Sequence, residues 1–131
     1  MTSEVVIDLY QWMPGHGENK VSTRSENGDF IVEFSFDNEV GGEDKKEIVF
    51  ELPSFFSVGS FPGVEAIRCS GDFSFEIGAV IKTTNSGLAN KWTKYWTEAN
   101  MPSLAVCHHY MIFFTSENRV IHVVAKDVIV R

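Results

Sequence analysis

Apolar and polar residues alternate along most of this chain, and a period of two is typical of β-strands that bury one face. The pattern is clearest in DFIVEFSFD, residues 29–37. One face of this segment carries Phe30, Val32, Phe34 and Phe36. EIVFEL, residues 47–52, repeats the alternation after the polar connector DNEVGGED. The two segments therefore predict an antiparallel hairpin.

Other segments show the same alternation and predict further strands. They are VVIDLYQW from Val5, GVEAIRC from Gly63, GDFSFEIGAVIK from Gly71, and two segments in a closing hairpin from about Leu104 to Val130. Asn27-Gly28 suits a two-residue turn that requires positive φ, and Asn118 tolerates the left-handed conformation in the turn of the closing hairpin.

One segment has helical spacing instead. In NSGLANKWTKYWTEANMP, Leu88, Trp92 and Trp96 recur every four residues, with Tyr95 alongside. Asn85 or Ser86 can cap the start, and Asn100 with Pro102 fits the end. We expect an amphipathic helix near 86–99 whose tryptophan face packs on the sheet. The alternative is a ring-stacking platform for a sugar or nucleotide.

These elements predict an α+β fold. We expect a strongly curved, mostly antiparallel β-sheet of about seven or eight strands, with barrel-like closure as one arrangement, because most connections are too short for parallel crossovers. The helix near 86–99 is followed by the C-terminal hairpin. By length, residues 1–131 should form a single domain.

Charge is distributed unevenly. The chain has 18 acidic and 11 basic side chains and a net charge of -7. Residues 1–52 hold twelve of the acids and four of the bases. Such a surface repels phosphate backbones and could attract a basic protein, so we expect no nucleic acid and a basic protein as the partner.

The sequence also predicts a location in the cytoplasm. No apolar run approaches the ~18 residues that a membrane helix needs, and MTSEVVIDLY has acids where a signal peptide has Lys or Arg, so we expect no membrane contact. Two cysteines, Cys69 and Cys107, are too few for a disulfide framework and predict reduced thiols.

VCHHYMIFF, residues 106–114, places Cys107 beside two histidines and suggests nucleophilic or metal chemistry. On a strand, however, Cys107 and His109 point to one face and His108 to the other. With SENR as the turn, His122 lies opposite Phe113, four positions and roughly 14 Å from His109. We therefore expect structural residues, and neither a catalytic site nor a metal site.

The same register places His108 directly opposite Asp127. A carboxylate beside an imidazole favours the charged form, so the pair could tune a response to pH, although a structural ion pair is the simpler interpretation.

LPSFFSVGSFPG, residues 52–63, carries Phe55, Phe56 and Phe61 in a segment that proline and glycine mark as a loop or irregular edge. The rings could close an open end of the sheet or form an apolar patch for a partner or ligand. They are the leading candidates for a binding surface, together with His108 and Asp127.

No sequence motif indicates a cofactor. MPGHGENK lacks the ending of a phosphate-binding loop. The leading hypothesis is a small non-enzymatic domain that binds proteins, such as an acidic inhibitor of a basic protein. The alternatives are a binder of a small apolar ligand within the curved sheet and an enzyme that uses His108 or His109.

Overall fold

The computed structural model describes residues 2–60 and 77–131. The predicted strand GVEAIRC, the first part of the segment from Gly71, and Phe61 lie outside these ranges. The strands within them are β1 Thr2–Asp8, β2 Lys20–Glu26, β3 Asp29–Asp37, β4 Glu43–Glu51, β5 Phe55–Ser60, β6 Ala79–Thr84, β7 His108–Phe114, β8 Arg119–Ala125 and β9 Asp127–Val130. The helical elements are a 3₁₀ turn at Leu9–Gln11, helix α1 at Gly87–Glu98 and a short helix α2 at Pro102–Ala105.

The strands form two antiparallel sheets. The five-stranded sheet has the order β1-β6-β7-β8-β5, and the four-stranded sheet has the order β2-β3-β4-β9. The prediction of a mostly antiparallel α+β fold is confirmed. The sheets do not close into a barrel, because no strand pairing among the described residues joins one sheet to the other.

The core lies between the two sheets. The predicted apolar face of β3 and β4 lies in this core. The opposite face is also partly buried, at Ile31, Ser35 and Val49. The facing strands β7 and β8 contribute Tyr110, Ile112, Phe114, Ile121, Val123 and Ala125. Two ring contacts cross this interface, with centroid distances of 6.1 Å between Phe34 and Phe114 and 5.6 Å between Phe50 and Tyr110. Phe36 extends the first of them within the four-stranded sheet, at 5.8 Å from Phe34.

Asparagine sets three of the chain reversals. Asn27 and Gly28 have φ of 53° and 84° and join β2 to β3 with Glu26 paired to Asp29, so the predicted two-residue turn is confirmed. Asn100 has φ of 59° just after α1, and Asn118 has φ of 47° between β7 and β8. Asparagine adopts this left-handed region more readily than other residues with a side chain.

Helix α1 forms a third layer on the outer face of the five-stranded sheet. Its position within the predicted range confirms the helical spacing. Ala89 is buried, Trp92 and Trp96 are half-buried, and Tyr95 is 56% exposed. The indole Nε1–H of Trp96 donates to Ser54 Oγ at 2.8 Å, which ties the helix to the segment before β5.

Two predicted strand boundaries are wrong, and one open alternative is resolved. The first strand ends at Asp8, and Leu9–Gln11 form the 3₁₀ turn. Of the two alternatives for the segment 52–63, a loop or an irregular edge, residues 55–60 take the second and form the edge strand β5. The second strand of the closing hairpin stops at Ala125, because Lys126 donates its N–H to Glu51 O and directs the following residues to the other sheet.

Candidate functional site

A short segment crosses one open end of the sandwich. Asp8 caps the 3₁₀ turn by accepting from Tyr10 N–H at 3.0 Å. The N–H of Leu9 donates to Gly78 O at 2.8 Å, and Leu9 is fully buried. Gly78 has φ of +71°, and a Cβ at this position would lie 2.4 Å from the Tyr10 ring. A glycine is therefore required for the turn to pack closely against the sheet.

The turn and the β3–β4 hairpin enclose an open groove of about 980 Å³. Apolar lining comes from Trp12, Met13 and Phe36, of which Met13 and Phe36 are buried. At the hairpin tip, Val40 is 90% exposed. A concave apolar floor with exposed hydrophobic groups at its margin is typical of a binding site.

Three carboxylates lie at the rim of this groove, those of Asp37, Glu39 and Asp44, and the lining also includes Lys45 and Lys46. Asp37 accepts from Asn19 Nδ2 at 2.7 Å and lies 3.1 Å from His16 Nε2. These two hydrogen bonds hold the pKa of the Asp37 carboxyl below its usual range, with that from Asn19 the stronger influence. Asp37 therefore keeps its negative charge in mildly acidic solution.

A cation already lies on the aromatic surface of the groove. Lys46 Nζ lies 5.1 Å from the centroid of the Trp12 ring. Lys46 pairs with Phe34 in the β3–β4 register and is half-buried, whereas its neighbour Lys45 pairs with Ser35 and is exposed. Both lysines line the groove, but successive strand residues alternate in direction, so Lys46 points towards the Trp12 ring and Lys45 lies on the opposite face of the strand.

A second polar cluster lies beneath α1. His109 Nε2 is 2.8 Å from His122 Nδ1, and His109 Nδ1 is 2.7 Å from Ser86 Oγ. All three residues are at most 1% exposed. Ser86 Oγ also accepts from Ala89 N–H at 3.3 Å, so the hydroxyl that caps the helix is the one that contacts the histidines.

Ser86, His109 and His122 are linked in the order found in catalytic triads, in which a serine contacts a base and the base contacts an orienting group. Burial of this cluster under α1 prevents a substrate from reaching Ser86 Oγ. Burial also lowers the pKa of His122 to about 4. The short contact between the two rings has room for one hydrogen, so the pair cannot carry two positive charges. We interpret the cluster as a structural network that fixes the N-terminus of α1.

The expectation that His109 and His122 lie far apart is wrong. The turn between β7 and β8 consists of residues 115–118, one residue earlier than SENR. His122 therefore pairs with Met111, and His109 pairs with Val124, which makes the two histidines diagonal neighbours on one face. The predicted division between faces is correct, since Tyr110 enters the core while Cys107 contacts Ala89 O at 3.9 Å under the helix.

The predicted pairing of His108 with Asp127 is also wrong. His108 pairs with Ala125, and Asp127 pairs with Glu51 in the other sheet. The pKa of His108 is lowered and not raised, because burial disfavours the charged ring and Lys82 adds repulsion, while Asp127 acts weakly in the opposite direction.

The phenylalanines of β5 do not share a surface. Phe55 is half-buried and its ring centroid lies 6.5 Å from that of Trp92 on α1. Phe56 stacks on the buried ring of Phe30, at 4.1 Å and an interplanar angle of 14°, while remaining 45% exposed. Phe55 and Phe56 therefore pack on opposite faces of the five-stranded sheet, and Phe61 lies outside the described residues.

Known proteins add no information about the chain. Comparison with protein-family models, curated proteins and solved structures gives no match. Within the described ranges, none of the helices has the combined length and apolar character needed to cross a bilayer. Any functional assignment therefore depends on the groove and the charges around it.

The groove was not predicted from the sequence. A signal was present in YQWMP, where two aromatic residues and a methionine precede Pro14 within the acidic half of the chain. Their arrangement depended on knowing that the strand ends at Asp8 and that the following turn crosses the β3–β4 hairpin. Neither feature is visible in the alternation of apolar residues.

Proposed function

We propose that the protein is a small cytosolic, non-enzymatic domain that binds a basic segment of another protein in the groove between Tyr10–Pro14 and the β3–β4 hairpin. The single observation that carries this proposal is the combination of an apolar floor with carboxylates at the rim of one cavity. A lysine or arginine side chain has an apolar stem and a charged end, and it matches both parts of such a groove.

The distribution of charge supports the same partner. The groove is built entirely from residues 10–46, which belong to the acidic half of the chain. Long-range attraction accelerates association with a basic protein, and the carboxylates can then pair with individual cations at short range. Cytosolic residence agrees with the free thiol of Cys107, because such compartments keep cysteine reduced.

The buried histidines favour a binding domain over an enzyme. Ser86, His109 and His122 form the most suggestive catalytic arrangement in the described ranges, and all three lie under α1. The groove, by contrast, is open and lies at the end of the four-stranded sheet.

The test measures binding of a fluorescently labelled lysine-rich peptide by anisotropy at low and at physiological salt. We expect saturable binding that weakens with salt, because exposed charges are screened over about 8 Å at physiological ionic strength. Glu39→Lys reverses an exposed charge at the rim and should weaken binding roughly three- to tenfold.

The matched control is Glu98→Lys, which makes the same change of charge on the exposed end of α1. It should weaken binding much less, since α1 lies on the other side of the five-stranded sheet. Equal effects of the two substitutions would show that the peptide responds only to net charge. That result, or no binding to the wild-type protein at low salt, would overturn the proposal.

A further inference from the structure

Lys46 is an unusual residue for a groove that should accept cations. It is half-buried, and none of the ion pairs among residues 2–60 and 77–131 includes it. Its ammonium group instead lies over the Trp12 ring. Attraction between a cation and the face of an indole is the interaction by which aromatic sites recognise ammonium and guanidinium groups.

Trp12 is held in place independently of Lys46. Its backbone N–H donates to Leu9 O at 3.0 Å, and its side chain packs against the core cluster. The lysine side chain, by contrast, has four rotatable carbons and is held by the ring contact alone among the interactions described above. Lys46 can therefore leave the ring while the ring stays in position.

We propose that Lys46 is an internal occupant of the cation site on Trp12, and that a lysine or arginine of the partner displaces it on binding. This inference rests on the proposed function and names the chemistry of the partner at one point: a cationic side chain that stacks on Trp12. The displaced Lys46 ammonium is then free to move towards the carboxylates of the rim, among which Asp44 lies two residues away on the same strand face.

The internal contact must be broken before the partner binds, so its removal should increase affinity. Lys46→Met keeps an unbranched apolar stem and removes the cation. Lys45→Met removes the same charge one residue away, from the same groove but from the opposite face of the strand, where the side chain does not lie over Trp12. Both substitutions make the protein more acidic by one unit, so long-range attraction should change equally. Lys46→Met should bind the lysine-rich peptide about two- to fivefold more tightly than Lys45→Met does.

A series of peptides isolates the contact with the ring. In each peptide of the series, one lysine is replaced by the uncharged norleucine. When the replaced lysine is the one that stacks on Trp12, the difference in affinity between Lys46→Met and Lys45→Met should disappear. Positions that do not reach Trp12 should keep the difference, so a series of such peptides locates the stacking residue.

Proton NMR follows the displacement directly. The Lys46 ε-methylene protons should resonate upfield in the free protein because they lie over the indole ring, and they should return towards ordinary lysine values when the wild-type protein is saturated with peptide. Equal affinities of the two lysine variants, or ε-methylene signals that stay upfield at saturation, would reject displacement while leaving the proposed function intact. If neither the wild-type protein nor Lys46→Met binds peptide, both proposals fail.

Discussion

His109 Nε2 and His122 Nδ1 lie 2.8 Å apart on neighbouring strands, in a layer from which water is excluded by helix α1. Two imidazoles in contact and away from solvent are stable only when at least one is neutral. The contact therefore links the stability of the fold to pH, in the range where histidine titrates.

We expect the protein to lose stability between about pH 6.5 and pH 4. The folded-state pKa of His122 is depressed to about 4 from 6.5, so the unfolded chain binds a proton in this interval that the folded chain does not. The stabilisation is complete above pH 6.5 and lost as the pH falls, by about 3 kcal/mol over the interval. His108, whose pKa is also lowered, acts in the same direction. Urea unfolding at pH 7.5 and pH 5 measures the slope.

A variant of His122 and a control variant test whether His122 causes the pH dependence of stability. His122→Asn keeps a polar group near the position of Nδ1 and should be less stable at pH 7.5, but with a shallower dependence on pH. The control Ser22→Ala changes an exposed side chain that does not titrate and should keep the wild-type slope. An unchanged slope in His122→Asn would contradict the assignment.

Ser86→Ala should destabilise the protein by about 2 kcal/mol, because one hydroxyl both caps α1 and contacts His109. Ser22→Ala, which alters an exposed serine on β2, should change the free energy of unfolding by less than about 0.5 kcal/mol. Thermal unfolding monitored by circular dichroism compares the two. Similar effects of both substitutions would show that the hydroxyl of Ser86 is not a structural link.

Gly78→Ala should be more harmful than Gly28→Ala, although both glycines have positive φ. At Gly28 a Cβ meets nothing within 4 Å, so alanine there costs only the backbone penalty of about 1 kcal/mol. At Gly78 the Cβ would collide with the Tyr10 ring, which adds a steric penalty. Tyr10→Ala in the Gly78→Ala background should recover the steric part, as measured by urea unfolding. Equal losses in the two single variants would contradict the close packing.

Phe56→Ala should reduce stability by about 1–2 kcal/mol despite the exposure of its ring, because the ring stacks on Phe30 at the edge of the core. Val58→Ala, at another exposed position on β5, should cost clearly less. Peptide binding should be unaffected in both, since β5 is remote from the groove. Weakened peptide binding in Phe56→Ala with unchanged stability would instead mark Phe56 as part of a binding patch.

The sequence determined most local structure but not how the elements meet. Alternation in residues 29–37 and the Asn27-Gly28 turn depend on near neighbours, so they were predictable. The turn at 115–118 depends on distant residues, since Ser116 N–H donates to Glu18 and Glu117 accepts from Val21 N–H. A turn placed one residue earlier shifts the cross-strand partner of each residue by two positions. This shift explains why His122 pairs with Met111 and not with Phe113 as predicted.

The groove was unpredictable for a related reason. Trp12, Phe36 and Lys46 come from three segments whose meeting is set by the path of the 3₁₀ turn over the hairpin. The pairing of Asp127 was equally hard to predict, because RVIHVVAKDVIV contains no glycine or proline at the point where the chain changes sheets.

Lys126 is the only residue between β8 and β9, and these strands belong to different sheets. One residue spans at most about 3.6 Å, so this corner of the sandwich has no slack. Lys126 contacts Glu51 at one end of β4, whereas the groove lies at the other end, near Glu43. Covalent geometry therefore fixes the two sheets to each other at the Lys126 corner. Any motion that widens the groove for a partner must pivot about that corner.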